Sequence, residues 1–516
     1  MPWASFRLSG YAPDLPPDAV PAEYWTTLSD VVTRDGVAER FIGAGTSSVT
    51  GTFLTRPQWA APVRTPPGAF GNLDGLVYAG NNFASPSRVQ IAYYVETVGH
   101  GLLTPAAWAG LVQSELNAWT GGPLSGGVIV NGYGLPPLWA PNTTAAVTLL
   151  SATLLFAAMR PYKYMAIGIS DLFTANSLNT IRWSASAVPG AAPTTWAPAA
   201  GNDAGSVDLT SSGVGRPVDG GALGEDFIIY GENNIWLMTY VGGATVMAIR
   251  RISSDTGIAF RNCWAEVPGG HIVLTKDDVV LVNQTGIVKS LVSGRLRRKI
   301  FEGNLMGGDT RQQLCQVWSD RRRGRIYVMR PSTQGTDQTL DLGYCYELAS
   351  DSWSRITFPS FLSAPTDQFV GAVTANLGTG TPPQPNLYIL DQGATALGEC
   401  AVRAMETTSA SHPATLMQKD DLDLGDASRV KVVRGVRVRA TSSSAVTVKV
   451  TVGSKYAADE AYTYGSTETC VLGSNQFVPA LSAGRWFSVK IESNAAGDAA
   501  FRCHGFDLEY TERGAW

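Results

Sequence analysis

The chain has 516 residues, more than one ordinary hydrophobic core holds, so two or more domains are expected. Hydrophobic residues make up 44% and charged residues 16%, below the usual charged share of about 25%, which argues against a helical bundle with its long charged faces. With 39 basic and 43 acidic side chains the net charge is −4, which excludes a basic protein that coats phosphates by counterion release.

The 55 glycines and 29 prolines favour short strands joined by tight turns, because Gly supplies positive φ and Pro pre-sets turn geometry. A disordered Gly/Pro-rich chain is excluded by 14 Trp, 18 Tyr and 17 Phe spread along the sequence, enough for a sizeable core. The N-terminus, MPWASFRLSGYAPDLPP, has no basic segment followed by an apolar core, so no secretory signal is expected. Strand-like runs then follow at Val89–Val95 and Gly127–Asn131. The apolar stretch Ala145–Met159 is shorter than the roughly 20 residues of a spanning helix and is bounded by Pro141 and Arg160-Pro161. It reads as a buried strand pair or core helix, with no stable membrane insertion.

Further along, Phe227–Tyr230 and Ile235–Val241 flank the turn Gly231–Asn234, and Ile272–Thr275 and Val279–Asn283 flank Lys276–Asp278. Short polar loops between β-branched runs predict hairpins. The series continues at Arg325–Met329 and Leu387–Leu390. From about residue 75 to 395 the hairpins recur every 35–50 residues or so, the range in which propeller blades repeat. Arg325–Met329, the Tyr-rich Gly343–Leu348, the turn Ala349–Asp351 and Trp353 with Ile356 have the order of strands common in kelch-like propellers. Ser253–Phe260 is similar to the S-x-D-x-G-x-x-W turn of sialidase-type propellers, with Phe in place of Trp, a motif that shapes a turn and does no catalysis. A degenerate β-propeller and a generic multi-sheet β-fold both satisfy this pattern.

Beyond about residue 405 the polar segment ETTSASHPATLMQKDDLDLGD leads into Val432–Arg439 and Ala445–Val452, both alternating with period two, and later Trp486–Ile491 and Phe506–Tyr510. Alternation marks half-buried antiparallel strands. The predicted class is mainly β: a degenerate β-propeller plus a C-terminal antiparallel β-sandwich-like domain. The expected divisions are an N-terminal segment 1–50, a propeller-like domain 51–404 and a C-terminal β-domain 405–516.

Motifs for chemistry are scarce. Cys263, Cys315, Cys345, Cys400, Cys470 and Cys503 are scattered without a CxxC pair and read as buried free thiols. His100, His271, His412 and His504 stand apart from one another and read as packing or surface residues. No G-x-S-x-G, Walker-type or H-E-x-x-H pattern occurs, so no catalytic residue, metal or cofactor is expected and the chain reads as non-enzymatic. Asp420, Asp421, Asp423 and Asp426 lack EF-hand spacing and read as a solvated linker, with a hard-cation site as the other reading. Two basic clusters, Arg295, Arg297, Arg298 and Lys299, and Arg321, Arg322 and Arg323 beside Arg325, read either as solvated or inter-subunit ion pairs or as contacts to DNA in a channel.

A set of ordered motifs resembles the tail nozzle (tail tubular) proteins of short-tailed bacteriophages, related to packaged-DNA stabilisation hubs. They begin with Gly10–Pro17, Trp25 and Arg34-Asp35-Gly36-Val37-Ala38-Glu39-Arg40. Leu135–Trp139, Ile181–Ser184 and Trp196 follow, then the block 226–302 with DFIIYGENNIWLMTYVGG and GGHIVLTKDDVVLVNQTG, and finally Gly484–Trp486 and Gly505–Glu509. The resemblance implies a structural, non-enzymatic virion subunit. It would form a homohexameric ring docked on the phage adaptor and portal complex, bearing tail fibres or spikes. That ring would retain packaged double-stranded DNA and conduct it out, after assembly in the host bacterial cytoplasm. The alternative function is a carbohydrate-binding or carbohydrate-cleaving tailspike-like propeller, for which paired carboxylates about 5–10 Å apart are the signature to seek.

Overall fold

The computed structural model describes residues 2–515 apart from 9, 48, 50, 65–73, 83–87, 97, 142–145, 174–176, 213–214, 244, 302–309, 332–339, 358–368, 378–384, 392–399, 407–412, 474–475 and 495–498. The chain is mainly β, built of many small antiparallel sheets. Seven of them are four-stranded and follow one another along the sequence. Their first strands are Arg56–Arg64, Trp119–Leu124, Phe156–Tyr162, Pro217–Leu223, Trp264–Val267, Gln316–Asp320 and Phe369–Ala375. In the first six sheets each strand pairs with the next in sequence. The seventh takes its fourth strand from the other end of the molecule: Ala44–Ser47 pairs with Ala401–Met405.

Why these segments form strands is visible in their burial. The second strand of a sheet is packed on both faces and therefore reads as an unbroken apolar run rather than an alternation. Phe227, Ile228, Ile229 and Tyr230 are all buried, as are Ile326, Tyr327, Val328 and Met329. The last strand of the fifth sheet, Gly286–Ser290, is mostly exposed, whereas that of the sixth, Ser352–Thr357, is mostly buried. Each sheet packs on the next. Ala61, Val77 and Ile91 of the first sheet meet Val128 and Leu138 of the second. Ile167 and Trp183 of the third meet Phe227 and Trp236 of the fourth. The seventh packs on the sixth through Ile389 against Met329, and on the first through Val373 and Tyr388 against Leu76 and Tyr94.

The expected hairpins at Gly231–Asn234 and Lys276–Asp278 are present. The kelch-like stretch forms three paired strands, Arg325–Arg330, Leu342–Glu347 and Ser352–Thr357. Buried Trp353 packs on Tyr346 at 4.9 Å and donates its indole N–H to the Leu291 carbonyl of the preceding sheet, while Tyr346 donates to Asp351 at the turn. In the Ala145–Met159 stretch, Thr148–Leu149 ends the second sheet and Phe156–Tyr162 opens the third. Among the described residues no helix is long and apolar enough to cross a membrane.

Two larger sheets and one parallel pair, Gly10–Tyr11 with Tyr24–Trp25, complete the sheets among the described residues. One larger sheet holds Phe477–Gly484, Arg429–Ser442, Phe501–Ala515, Val37–Arg40 and Val31–Arg34, with Trp3–Arg7 also on Phe501–Ala515. The other holds Thr463–Val471, Thr447–Lys455, Trp486–Ser493, Leu416–Leu422 and Thr27–Ser29. Their apolar alternation meets in one cluster, with Val433, Val436 and Val438 of one sheet and Val448, Val450 and Val489 of the other. N-terminal strands are thus built into both sheets.

The seam between the small sheets and the N-terminal strands holds a buried charge cluster. Glu406 accepts hydrogen bonds from both the Arg325 guanidinium and the Tyr327 hydroxyl, pairs with Arg323 at 3.3 Å, and Arg325 also reaches the Thr33 carbonyl at 3.2 Å. Burial disfavours the Glu406 carboxylate, but the two arginines outweigh it and hold its pKa below the ordinary range. Breaking a buried pair leaves an uncompensated charge, at a cost of about 3–5 kcal/mol. Glu406→Gln is expected to lower unfolding free energy by roughly 3 kcal/mol, read from the urea midpoint at neutral pH. A change within error would show that Arg325 is solvated and not held by this carboxylate.

Candidate axial site

The first strands of the seven sheets lie side by side. Arg56–Arg64 neighbours both Trp119–Leu124 and Phe369–Ala375, and the other neighbours follow in sequence. The fourth and fifth are joined where the Trp264 indole N–H donates to Asp219 at 3.2 Å. Between these strands lies a cavity of about 480 Å³.

Its wall is made where the first strands begin, by amide and indole side chains. Asn117 and Asn262, both with positive φ, stand two residues before Trp119 and Trp264, the first residues of their strands, while Gln316 and Trp318 share one face of the strand Gln316–Asp320. Gln58 and Trp59 supply the same residue types from the first sheet. This repeated amide-x-Trp is the sequence signal that the search for catalytic motifs passed over.

Hydrogen bonds join these residues into a belt. Trp119 donates to Gln58 Oε1 at 2.8 Å, and the Asn262 amide donates to Asn117 Oδ1 at 2.7 Å and to the Trp119 carbonyl at 3.1 Å. Gln316 donates to the Val370 carbonyl at 2.9 Å and accepts from Trp318 at 2.8 Å. Arg160 grips Asp219 through two bonds of 2.8 and 2.7 Å and lies 5.5 Å from the Trp264 ring. Asp219 also accepts from the Asn262 backbone N–H at 2.8 Å. A Cβ at Gly121 would lie 2.1 Å from the Ile129 carbonyl and 2.9 Å from the Trp59 ring, so only glycine lets this strand and Trp59 approach so closely.

What the belt leaves over is polar and accessible. The Gln58 amide nitrogen, the indole N–H of half-buried Trp59 and the carboxylate of exposed Glu115 have no hydrogen-bond partner among the described residues. Arg261 gives Glu115 an electrostatic counterpart, while its own guanidinium donates to the carbonyls of Leu116 and Asn117.

The basic residues singled out in the sequence occupy two places. Arg321 and Arg322 line a second cavity of about 790 Å³, where Arg321 pairs with Glu266 and Arg322 donates to Asn386 at 2.6 Å. Arg323 pairs with Asp320 at 2.8 Å and with Glu406. In the other cluster Arg297 pairs with Asp277 at 2.8 Å, and Arg295 donates to the Asp351 carbonyl. The backbone amides of Arg298 and Lys299 donate to Asp14. These two groups share no cavity.

The acidic run is consumed locally. Asp420 binds Thr26 and Gln418, Asp421 binds Lys455 at 2.7 Å, and Asp426 binds Ser428 and Arg429. No metal-binding group of three His, Cys, Asp or Glu occurs among the described residues. All six cysteines are buried and unpaired by disulfides. His100 packs against Phe53 and Tyr94, and His412 lies outside the described residues.

No family model matches the chain, and no curated protein matches it. Among solved structures it is similar to a puromycin hydrolase at 13% identity and TM-score 0.38, covering 74% of this chain and 63% of that one. The chain therefore spans under two thirds of that hydrolase's length. It is also similar to an exo-beta-1,3-galactanase from Phanerochaete chrysosporium (10% identity, TM-score 0.25, covering 91% and 100%). An acylaminoacyl peptidase from Pyrococcus horikoshii gives 9% identity and TM-score 0.30, covering 72% and 59%.

These structures are not phage tail components, and they correct the tail-nozzle resemblance. With it fall the DNA-conducting role, the hexameric ring, the adaptor, portal and fibre partners and the virion location. The non-enzymatic expectation does not stand either: the similar structures are a hydrolase, a galactanase and a peptidase, activities that are said of those proteins alone. The motifs that carried the resemblance have local reasons. Asp35-Gly36 is the two-residue loop of the Val31–Arg34 and Val37–Arg40 hairpin, with φ of 52° and 74°. Such a turn calls for Asp-Gly in any hairpin. Gly10 lies where a Cβ would meet the Tyr24 ring at 2.2 Å.

His271, fully buried, stacks on Trp264 at 4.5 Å and is hydrogen-bonded to the Tyr230 hydroxyl and the Ala222 carbonyl. Burial pushes its pKa down from 6.5 to about 4. The fold thus holds neutral imidazole, whereas the unfolded chain takes up its proton near 6.5. Between those values the unfolded state binds the extra proton, so stability falls as pH falls and the loss is complete below about 4. This contribution is about 3 kcal/mol. Urea unfolding at pH 7, 5.5 and 4.5 is expected to show that decline, with His271→Gln flattening it. An equal slope in the variant would refute the assignment.

Proposed function

We propose that the seven small sheets are the blades of a closed β-propeller, that the two larger sheets form a β-sandwich, and that the axial cavity binds a neutral saccharide. The propeller reading is supported by the packing of the seventh sheet on the first and by the strand Ala44–Ser47 in the seventh sheet. On this reading residues 44–405 are the propeller, and the N-terminal strands join 416–515 in the sandwich.

The observation that carries the ligand class is the set of free polar groups on Gln58, Trp59 and Glu115, on a wall where Asn117, Trp119, Asn262, Gln316 and Trp318 bond to one another or to the backbone. Small-molecule sites are apolar or aromatic surfaces with a few placed polar groups. A sugar ring matches such a wall, because it offers a C–H face to an indole plane and hydroxyls that both donate and accept. Charge argues for a neutral ligand: Arg160 is committed to Asp219, and Glu115 lies in the field of Arg261. Glycoside cleavage uses two carboxylates, about 5 to 10 Å apart. Among the residues lining this cavity Glu115 is the one carboxylate, and Asp219 behind the wall is held by Arg160. Saccharide retention is therefore the step the geometry supports best.

The test is calorimetric titration with gluco-, galacto-, manno- and xylo-oligosaccharides, with reducing-end release measured in the same samples. At least one series is expected to bind. Trp59→Ala and Gln58→Ala are each expected to weaken it about tenfold, near 1.4 kcal/mol, in protein whose circular dichroism shows the fold retained. Absence of binding by every series overturns the proposal, as does binding that ignores both substitutions.

A further inference from the structure

The axial cavity adjoins the second one. Pro62, Pro123, Trp264, Val317, Trp318 and Ala372 line both it and the second cavity, with Arg321 and Arg322 beyond. These shared residues come from five first strands, so they form a collar and not a chance point of contact. The strands also run in one sense along the axis. In Trp119–Leu124 the residues from Trp119 to Pro123 line the first chamber, and those from Pro123 onward line the second. Trp264 and Trp318 likewise stand between Asn262 and Gln316 on one side and Glu266 and Arg321 on the other.

The two chambers differ in what they offer. The first has amide and indole donors, and the collar is largely apolar or aromatic. The rim of the second carries Glu266 and Arg321, whose side chains are 50% and 62% exposed, and exposed Arg322. An exposed ion pair is worth at most about 1 kcal/mol and rearranges cheaply. Glu266 and Arg321 therefore give a polyol an acceptor and a donor side by side, with no net charge to be matched.

Resting on the saccharide reading above, we infer that the ligand is a linear, unbranched saccharide chain that passes the collar and occupies both chambers, with Arg321, Arg322 and Glu266 as its distal contacts. A branched chain would be stopped at the collar, because Trp264 and Trp318 are held there by hydrogen bonds to Asp219 and Gln316.

The experiment is a length series of whichever oligosaccharides bind, from the disaccharide to the octasaccharide, titrated into the full chain. Affinity is expected to rise tenfold or more with length before reaching a plateau. In Arg321→Ala/Arg322→Ala the ratio of long-chain to short-chain affinity is expected to collapse toward one. Disaccharide binding with no gain from length overturns this inference and leaves the saccharide site standing, as does a length gain that the double substitution leaves intact. Failure of every oligosaccharide overturns both. A branched octasaccharide that binds as tightly as the linear one counts against passage through the collar.

Discussion

The buried carboxylate of Asp219 organises the middle of this molecule. It is fully buried, belongs to the fourth sheet, and accepts from Arg160 of the third and from the Asn262 backbone and the Trp264 indole at the start of the fifth. A charge in that position is costly unless it is paired and fully hydrogen-bonded, and here it is. The consequence reaches past one ion pair. Asn262, held by Asp219, donates to Asn117 and Trp119 of the second sheet, and Gln316 donates onward to Asn117 and to the seventh sheet. Polar groups that would otherwise be stranded among apolar sheets satisfy one another. The belt is what allows a polar cavity to exist there.

Apolar packing and this belt do different work. The sheet-to-sheet faces are filled with residues such as Ile167, Phe227 and Ile389, which are non-directional and tolerate small adjustments. Such packing places the sheets but cannot fix the orientation of an indole to a fraction of a radian. The directional bonds from Trp119 to Gln58 and from Trp318 to Gln316 do that. Preorganised walls bind better because less rotamer freedom is lost on binding. The groups left unpartnered at Gln58, Trp59 and Glu115 are consequently presented by fixed neighbours.

Strand positions were legible in the sequence wherever a physical rule acts locally. Gly231–Asn234 and Lys276–Asp278 are turns between β-branched runs, and the alternation of Val432–Arg439 and Ala445–Val452 reports one buried face. The placement of Ala44–Ser47 was not legible, because AGTS has neither alternation nor apolar weight and its pairing with Ala401–Met405 spans the chain. The same limit applied to the N-terminal strands: Thr27–Ser29 pairs with residues 416–418, a register set by tertiary packing.

The cavity was hidden for a related reason. Searches for chemistry look for residues close in sequence, whereas Gln58, Asn117, Asn262 and Gln316 are brought together only by the succession of sheets. Their common feature is position within the repeat: an amide at or just before the start of a first strand, with Trp two residues on in three cases. The feature occurs in four of the seven small sheets, where the crowded strand starts share the need to satisfy buried polar groups. The basic clusters stand out for a different reason. Arg295–Lys299 and Arg321–Arg323 are conspicuous in sequence, yet Asp277, Asp351, Glu266 and Asp320 meet several of their charges within the same chain. Regularity of residue type at equivalent strand positions, more than density of charge, was the trace of the candidate site in this sequence.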